Sequence, residues 1–175
     1  MFVLGHLGIG KRLAGRPYRR FSRADKRAFF VGTLLPDLID KPLYYGHACL
    51  TGKHGAAAGL LSGTHLFAHT GLFLAVLAAG GWVTRSRPLR ALAIGVATHL
   101  ALDCIGLSMN LGTLLWPLFG WHFPRYPFRS LGEHLWTFFR PITFTGEAIG
   151  AAILLWDWRR GRRPGALAAD AAPPR

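Results

Sequence analysis

The stretch THLALDCIGL, Thr98 to Leu107, places a histidine and an aspartate four residues apart in a run that is otherwise apolar. In a helix this spacing puts the imidazole of His99 and the carboxylate of Asp103 on the same face, about one turn apart. A cation could bind between them, or the two side chains could simply form a hydrogen bond within the helix. Whether other metal ligands occur elsewhere in the sequence decides between these two alternatives.

The composition around this stretch favours a membrane protein. Hydrophobic residues make up 51% of the 175 residues and charged residues 17%, whereas about a quarter of a typical soluble domain is charged. The chain carries 21 Lys and Arg against 8 Asp and Glu, but the basic residues are confined to short runs between apolar stretches. This distribution argues against nucleic acid as a partner and indicates a lipid bilayer.

The apolar runs predict an all-α, membrane-embedded bundle of about four to five helices. Residues 64–83, 91–107 and 141–158 are the candidate spans, because roughly 20 apolar residues cross the hydrocarbon layer. Residues 43–63 show no clear periodicity and are predicted to form a loop. Residues 1–160 then form a single membrane domain, followed at residues 161–175 by a disordered tail rich in Arg, Ala and Pro.

The basic runs predict the orientation of these spans, since Lys and Arg are enriched in cytoplasmic loops. If residues 85–90 and 159–163 are cytoplasmic, the three candidate spans alternate in direction. The basic segment 16–27 then falls on the same side of the membrane. The chain is therefore expected to be a multi-pass membrane protein with a cytoplasmic C-terminus.

Helical rise predicts which polar side chains meet in this arrangement. Counted from the nearest basic run at about 1.5 Å per residue, the depths are about 15 Å for Asp37, 14 Å for His99, 20 Å for Asp103 and 22 Å for His69. Ionisable side chains in a bilayer normally pair or bind a ligand. These four residues are therefore predicted to form a buried metal site.

The same count of helical rise places His65 and His6 at different depths from these four residues. His65 falls nearer the outer interface and His6 nearer the cytoplasmic one. Imidazole nitrogen and carboxylate oxygen suit zinc, which is the expected divalent metal, with manganese or iron as alternatives. Calcium fits less well because it prefers a shell made only of oxygen.

Each polar residue also has a simpler interpretation. His69 alone could be a buried hydrogen-bonding residue, and Asp37, which follows Pro36, could be an N-cap. Glu147, inside the last candidate span, could be a ligand, a proton relay or the partner of an arginine. The alternatives to a catalytic site are therefore a structural metal or polar site and an ion or proton pathway.

Five motifs resemble those of one protein family, the bacterial inner-membrane metal-dependent hydrolases of the LexA-binding type. In chain order they are His6, GTLLPDLID at 32–40, GTHLFAHT at 63–70, THLALD at 98–103 and the pair Trp116 and Pro117. The resemblance covers roughly residues 1–120, and the family is itself similar to zinc-dependent phospholipase C. It implies a mostly helical protein of the bacterial inner membrane, with one or two metal ions and hydrolysis of a phosphoester or lipid-linked substrate.

The resemblance also implies roles for individual residues. The metal ligands carried over by position are His6, Asp37, His69, His99 and Asp103. Asp40 and His65 are the candidate general bases, although Asp40 could instead orient a histidine and His65 could be an additional ligand. The later HxxxE pair of the soluble phospholipases does not occur in this sequence, so a full three-metal site is not expected.

Overall fold

The computed structural model describes residues 3–106, 109–124 and 131–161, and no β-strand occurs in these ranges. The all-α prediction is confirmed. The described α-helices are α1 (Val3–Arg19), α2 (Arg23–Gly32), α3 (Leu35–Thr51), α4 (Gly71–Val83), α5 (Arg87–Ile105), α6 (Leu111–Leu114), α7 (Leu131–Trp136) and α8 (Pro141–Gly161). Short 3-10 helices occupy Gly55–Leu61, Phe67–His69 and Thr137–Phe139. From residue 162 the predicted tail lies outside the described residues.

Helices α2 and α5 pack with their backbones in direct contact. A Cβ atom on Gly32 would overlap the carbonyl group of Leu92, and one on Gly95 would overlap the carbonyl oxygen of Phe29. Only glycine permits this approach. Near the start of both helices Asp25 lies 3.7 Å from Arg87, so the two helices run in the same direction.

Helices α1 and α8 also run in the same direction and make a similar contact. A Cβ atom on Gly8 would overlap the backbone of Gly150. Towards their far ends, Asp157 of α8 lies 2.6 Å from both Lys11 and Arg12 of α1. The small residues and the ion pairs therefore hold the two helices side by side.

Glu147, the anomalous charge in α8, has a structural role at the beginning of α1. Its buried carboxylate accepts hydrogen bonds from the backbone N–H groups of Leu4, at 2.9 Å, and Gly5, at 3.0 Å. These N–H groups belong to the first turn of α1, where no carbonyl of the helix itself is available to them. Capping a neighbouring helix was not among the roles considered for Glu147.

The loop predicted for residues 43–63 is wrong over its first part, because α3 continues to Thr51. The buried positions of α3 recur every four residues at Pro36, Asp40, Tyr44 and Ala48. Two of the four are polar or carry a hydroxyl group, so the apolar repeat that indicates a helix is hidden. The helix ends at Gly52, whose φ of 67° is the left-handed conformation that favours glycine.

The prediction of four to five apolar membrane helices is also wrong. By length and composition, α5 is the one helix within the described ranges that could cross a bilayer alone, and half of its apolar window is buried. A second possibility is a bent pair, Gly132–Phe139 with Pro141–Arg160, whose axes differ by 73°. The predicted span at 64–83 fails because α4 begins only at Gly71 and has 13 residues.

Candidate metal centre

Six histidine and aspartate side chains converge between the helices. They are His6 from α1, Asp37 from α3, His65 and His69 from the segment before α4, and His99 and Asp103 from α5. All are buried except Asp37, whose side chain keeps 17% of its surface exposed. A seventh residue, Asp40, is fully buried beside them.

Asp40 shapes the irregular segment that carries His65 and His69. Its carboxylate accepts backbone N–H groups from Leu66 at 2.7 Å, Ala68 at 3.1 Å and His69 at 3.2 Å. Three N–H groups that point to one carboxylate cannot belong to a continuous helix. Asp40 therefore holds this segment in turns and a 3-10 helix, and both histidines face the neighbouring helices.

Hydrogen bonds at Nδ1, the ring nitrogen that faces away from the centre of the cluster, set the orientation of His69 and His99. The Nδ1 atom of His69 lies 2.7 Å from Asp40, and the Nδ1 atom of His99 lies 2.8 Å from the carbonyl oxygen of Thr33. Both partners are acceptors, so each Nδ1 carries the hydrogen and each neutral ring has its lone pair on Nε2.

The two Nε2 atoms lie 3.2 Å apart. Two lone pairs facing each other at this distance repel, and either a proton or a metal ion between them removes the repulsion. The outer hydrogen bonds on His69 and His99 are the kind that orient histidine ligands of metals. The site is thus arranged for a cation.

The innermost ligand atoms have the spacing of a coordination shell. The Oδ2 atom of Asp103 lies 3.2 Å from Nε2 of His99 and 3.7 Å from Nε2 of His69. Around a tetrahedral zinc ion with bonds of about 2.0 to 2.2 Å, neighbouring ligand atoms lie about 3.3 to 3.6 Å apart. These three atoms therefore match one face of such a shell.

Three more side chains surround this face. The Nε2 atom of His6 lies 3.4 Å from Oδ1 of Asp103, and its ring stacks on His99 with centroids 4.0 Å apart. The Nε2 atom of His65 lies 3.6 Å from Oδ2 of Asp103, and Asp37 lies 3.5 Å from His69.

The six side chains form three overlapping groups that could each hold a metal ion. The groups are His6, His99 and Asp103; Asp37, His69 and His99; and His65, His69 and Asp103. Within each group the ligand atoms lie within 4.8 Å of one another. A buried His and Asp cluster capable of binding metal is therefore present.

The electrostatics of the cluster favour a bound cation. Burial opposes the charged form of Asp37, but the hydrogen bond from His69 and the charge of Lys41 outweigh it and hold the pKa of Asp37 well below its usual range. Burial likewise opposes protonation of His69, but hydrogen bonds to Asp37 and Asp40 raise its pKa to about 9. A metal ion that binds His69 must therefore displace a proton.

The other two histidines of the cluster outside α5, His6 and His65, are held in the form that binds metals. Burial lowers the pKa of His6 and of His65, and it outweighs the opposing hydrogen bonds to Asp103. Both imidazoles are thus neutral near pH 7, and a neutral imidazole is the form that coordinates a metal.

The structure brings all five predicted ligands together, and it places His65 with them. The expectation that His6 and His65 lie away from the other four residues was wrong. Lys11 and Arg12 do not mark the end of the first helical segment, which continues past them to a kink at Gly15, so counting from them misplaces His6. His65 is misplaced because residues 62–66 are not helical and do not rise at 1.5 Å per residue.

The simpler interpretation of Asp37 as an N-cap is wrong, because the N-cap of α3 is Leu34. Two contacts of the cluster were not predicted. Lys41 lies 2.6 Å from Asp37 one turn earlier in α3, and their i, i+4 spacing was a usable signal. The second contact is between His99 and the backbone carbonyl group of Thr33. Every residue has a backbone carbonyl, so the sequence could not predict this contact.

Comparison of the chain with protein-family models, with curated proteins and with solved structures gives no match. The function of the protein is therefore inferred from the chemistry of this cluster and its surroundings.

Proposed function

We propose that this chain is a membrane-associated, metal-dependent hydrolase that acts on a phosphoester or lipid-linked substrate. The observation that carries the proposal is the pair of Nε2 atoms on His69 and His99, 3.2 Å apart, with both outer nitrogens committed to acceptors. The resemblance of the chain's motifs to inner-membrane hydrolases supports the same function. Zinc is the proposed ion because the cluster combines imidazole and carboxylate, and manganese and iron accept the same ligands.

His69, His99 and Asp103 would hold the metal, and His6, Asp37 and His65 lie where they could complete its shell or hold a second ion. A divalent cation in this position supplies Lewis acidity, which polarises an ester oxygen and lowers the pKa of water to about 7. The protein contributes fixed ligands and surroundings from which most water is excluded.

Other residues near the cluster would orient the metal ligands, act as the general base and mark the side from which the substrate approaches. Both oxygens of Asp40 accept hydrogen bonds, from His69 and from three backbone N–H groups, so we assign it the orienting role and not that of general base. His65, whose Nε2 atom lies 3.6 Å from Oδ2 of Asp103 and whose neutral form is favoured by burial, is our candidate general base. Asp37 and Lys41 are the partly exposed residues, at 17% and 22% of their side chains, so substrate would approach from their side.

We place the protein in the bacterial inner membrane, with α5 and the bent pair of α7 and α8 as its membrane-crossing segments and with a cytoplasmic C-terminus. Support comes from large apolar side chains that remain exposed. On α8 they are Ile142, Phe144, Ile149, Leu155, Trp156 and Trp158. A soluble protein rarely exposes so large an apolar surface.

The test is metal analysis of the purified full-length protein and of variants. We expect wild type to carry zinc or a related metal in stoichiometric amount, and we expect His99→Ala and Asp103→Ala to lose most of it. His122→Ala is the matched control, because His122 is exposed and outside the cluster. Circular dichroism shows whether each variant keeps its helices.

Hydrolysis is measured on the same samples. We expect p-nitrophenyl phosphate or bis-p-nitrophenyl phosphate to be hydrolysed, with turnover lost on chelation and restored by zinc. Wild-type protein purified without stoichiometric metal, and unable to take up zinc, would end the proposal.

A structural metal site is the second candidate, and the burial of His6, His69 and His99 to 0% exposure favours it. In that case the protein binds metal and the metal raises its melting temperature, but no substrate in the panel is turned over. Turnover that follows the metal content of the variants would exclude a purely structural role.

A further inference from the structure

A basic cavity lies between α1 and α2, away from the metal centre. Its volume is about 360 Å³. The residues that line it are Lys11, Arg12, Gly15, Tyr18, Arg19 and Lys26. None of them belongs to the cluster of histidines and aspartates, so the cavity is a separate feature of the molecule.

The charge of this cavity is only partly compensated. Asp157 of α8 lies 2.6 Å from both Lys11 and Arg12, so a single carboxylate serves two cations. Arg19 and Lys26 make no ion pair with any carboxylate in the part of the chain that the structure describes. The cavity therefore carries an excess of positive charge.

The lysines of this cavity converge on one aromatic ring. The Nζ atom of Lys11 lies 5.3 Å from the ring centroid of Tyr18, and the Nζ atom of Lys26, which comes from the other helix, lies 5.7 Å from it. Contact with the ring favours each ammonium group. Both ammonium groups thus lie beside the same ring, and an anion bound in the cavity would be attracted by both charges.

Gly15 lines the cavity without a side chain. Its φ of 51° lies in the left-handed region, and no atom lies within 4 Å of where its Cβ would be. No side chain at this position therefore narrows the cavity.

We propose that this cavity is a binding site for a phosphate-bearing anion, either the headgroup of an anionic phospholipid or free phosphate. Lys and Arg are the residues that recognise phosphate, and basic pockets beside membrane helices bind anionic headgroups. Asp157 holds Lys11 and Arg12 in place, while Arg19 and Lys26 supply the charge that meets the ligand. The site does not depend on hydrolysis at the metal centre.

The experiment uses the full-length protein in dodecyl maltoside micelles and isothermal titration calorimetry. The probes are dioctanoyl phosphatidylglycerol, dioctanoyl phosphatidylcholine and inorganic phosphate. We expect saturable binding of the phosphatidylglycerol or of phosphate, and at least about a 10-fold weaker affinity for the double variant Arg19→Gln with Lys26→Gln. The matched control is Lys53→Gln with Arg140→Gln, which removes the same charge at exposed positions elsewhere and should change affinity less than about 2-fold.

The probes separate the two sources of the anion. Saturation by phosphatidylglycerol without binding of phosphate identifies a lipid headgroup, whereas phosphate that binds and competes with the lipid identifies free phosphate as a ligand too. The inference fails if neither probe saturates, if phosphatidylcholine binds as tightly as phosphatidylglycerol, or if the control variant weakens binding as much as the cavity variant. Phosphate affinity that is unchanged in the cavity variant would place the ion at the metal centre and would also overturn the inference.

Discussion

Asp40 determines the geometry of a cluster in which it is not a ligand candidate. Its carboxylate binds three backbone N–H groups of the segment 66–69 and also the Nδ1 atom of His69. The first set of bonds positions the histidine in the chain, and the last turns its ring so that Nε2 faces His99. One side chain therefore controls both the position and the tautomer of a proposed metal ligand.

We expect Asp40→Asn to lower the affinity for zinc by about 10 to 100-fold, because loss of an orienting carboxylate typically has an effect of that size. The amide is of similar shape, so most of the helix content should remain. Competition with a chromophoric chelator measures the affinity. Asp157→Asn is the matched control, since Asp157 pairs with Lys11 and Arg12 outside the cluster.

An unchanged zinc affinity in Asp40→Asn, with the control also unchanged, would show that the ring of His69 does not need this carboxylate. The orienting role would then be wrong. A variant that has lost its helices in circular dichroism would instead show that Asp40 acts mainly on the fold of the segment 62–70.

The residues of the cluster differ in how far the sequence predicts them. His99 and Asp103 form a helical i, i+4 pair, and this local spacing survives any error in the overall fold. His65 could not be placed from residue counts, because its position depends on Asp40, which lies 25 residues earlier in the chain and folds the turn by long-range hydrogen bonds. Contacts of this kind leave no periodic signal.

At the scale of the helices, glycine contacts decide how closely α1 and α8 approach. A Cβ atom on Gly150 would overlap the backbone of Leu4 and Gly5. Gly46 of α3, in contrast, is exposed and has no atom within 4 Å of the position of a Cβ. The same substitution should therefore have opposite effects at the two positions.

We expect Gly150→Ala to lower the free energy of unfolding by at least about 2 kcal/mol, since overpacking against backbone forces the helices apart. Gly46→Ala should raise it by about 0.5 to 1 kcal/mol, because alanine is the better helix former. Thermal unfolding in detergent, followed by circular dichroism, measures both. Equal melting temperatures for the two variants would contradict the close contact between α1 and α8.

The first turn of α2 gives the fold a dependence on pH. The backbone N–H of Ser22 donates to Asp25 at 3.0 Å, and the backbone N–H of Asp25 donates to the hydroxyl of Ser22 at 3.2 Å. The backbone hydrogen bond from Ser22 is the largest of the effects that lower the pKa of Asp25, and together they outweigh the opposing effect of burial. A carboxylate with a lowered pKa stabilises the fold above its unfolded pKa of about 4, and this contribution is lost as the pH falls through the folded pKa.

We therefore expect Asp25→Asn to be less stable than wild type at pH 7, and we expect the difference to disappear as the pH falls through the folded pKa of Asp25. Melting temperatures of both proteins measured from pH 7 down to about pH 2 provide the test. A difference that stays constant over this range would mean that the charge of Asp25 does not contribute to the cap.

The charge pattern and the helix lengths were not equally readable from the sequence. The basic runs predicted that segments 16–27 and 159–163 lie on one side of the protein, and Asp157, just before the second run, pairs with Lys11 and Arg12, just before the first. The length of α3 was missed because Pro42 and the polar residue Asp40 obscure its repeat. Charge patterns are set by whole segments, whereas the ends of a helix depend on single residues such as Gly52.

At the scale of the whole molecule, the exposed apolar side chains of α8 allow the proposed membrane association to be tested. Ile149 lies near the middle of α8 and is 48% exposed. Thr84 is also exposed, but it follows the last residue of α4 and precedes a basic run. Lipid around α8 would therefore penalise a charge at residue 149 and tolerate one at residue 84.

We expect Ile149→Lys to reduce the amount of folded protein recovered from membranes, because a lysine at the centre of a membrane helix costs about 2.5 to 3.5 kcal/mol. Thr84→Lys should leave recovery unchanged, since a lysine beside Arg85 would lie at the membrane surface. Membranes are washed with alkaline carbonate, extracted with detergent and assayed by size-exclusion chromatography. Wild-type protein released by the carbonate wash, or Ile149→Lys protein that is more soluble and equally folded, would show that water surrounds α8. The exposed apolar side chains would then have to be covered by another protein surface, because a folded chain does not leave so many of them in contact with water.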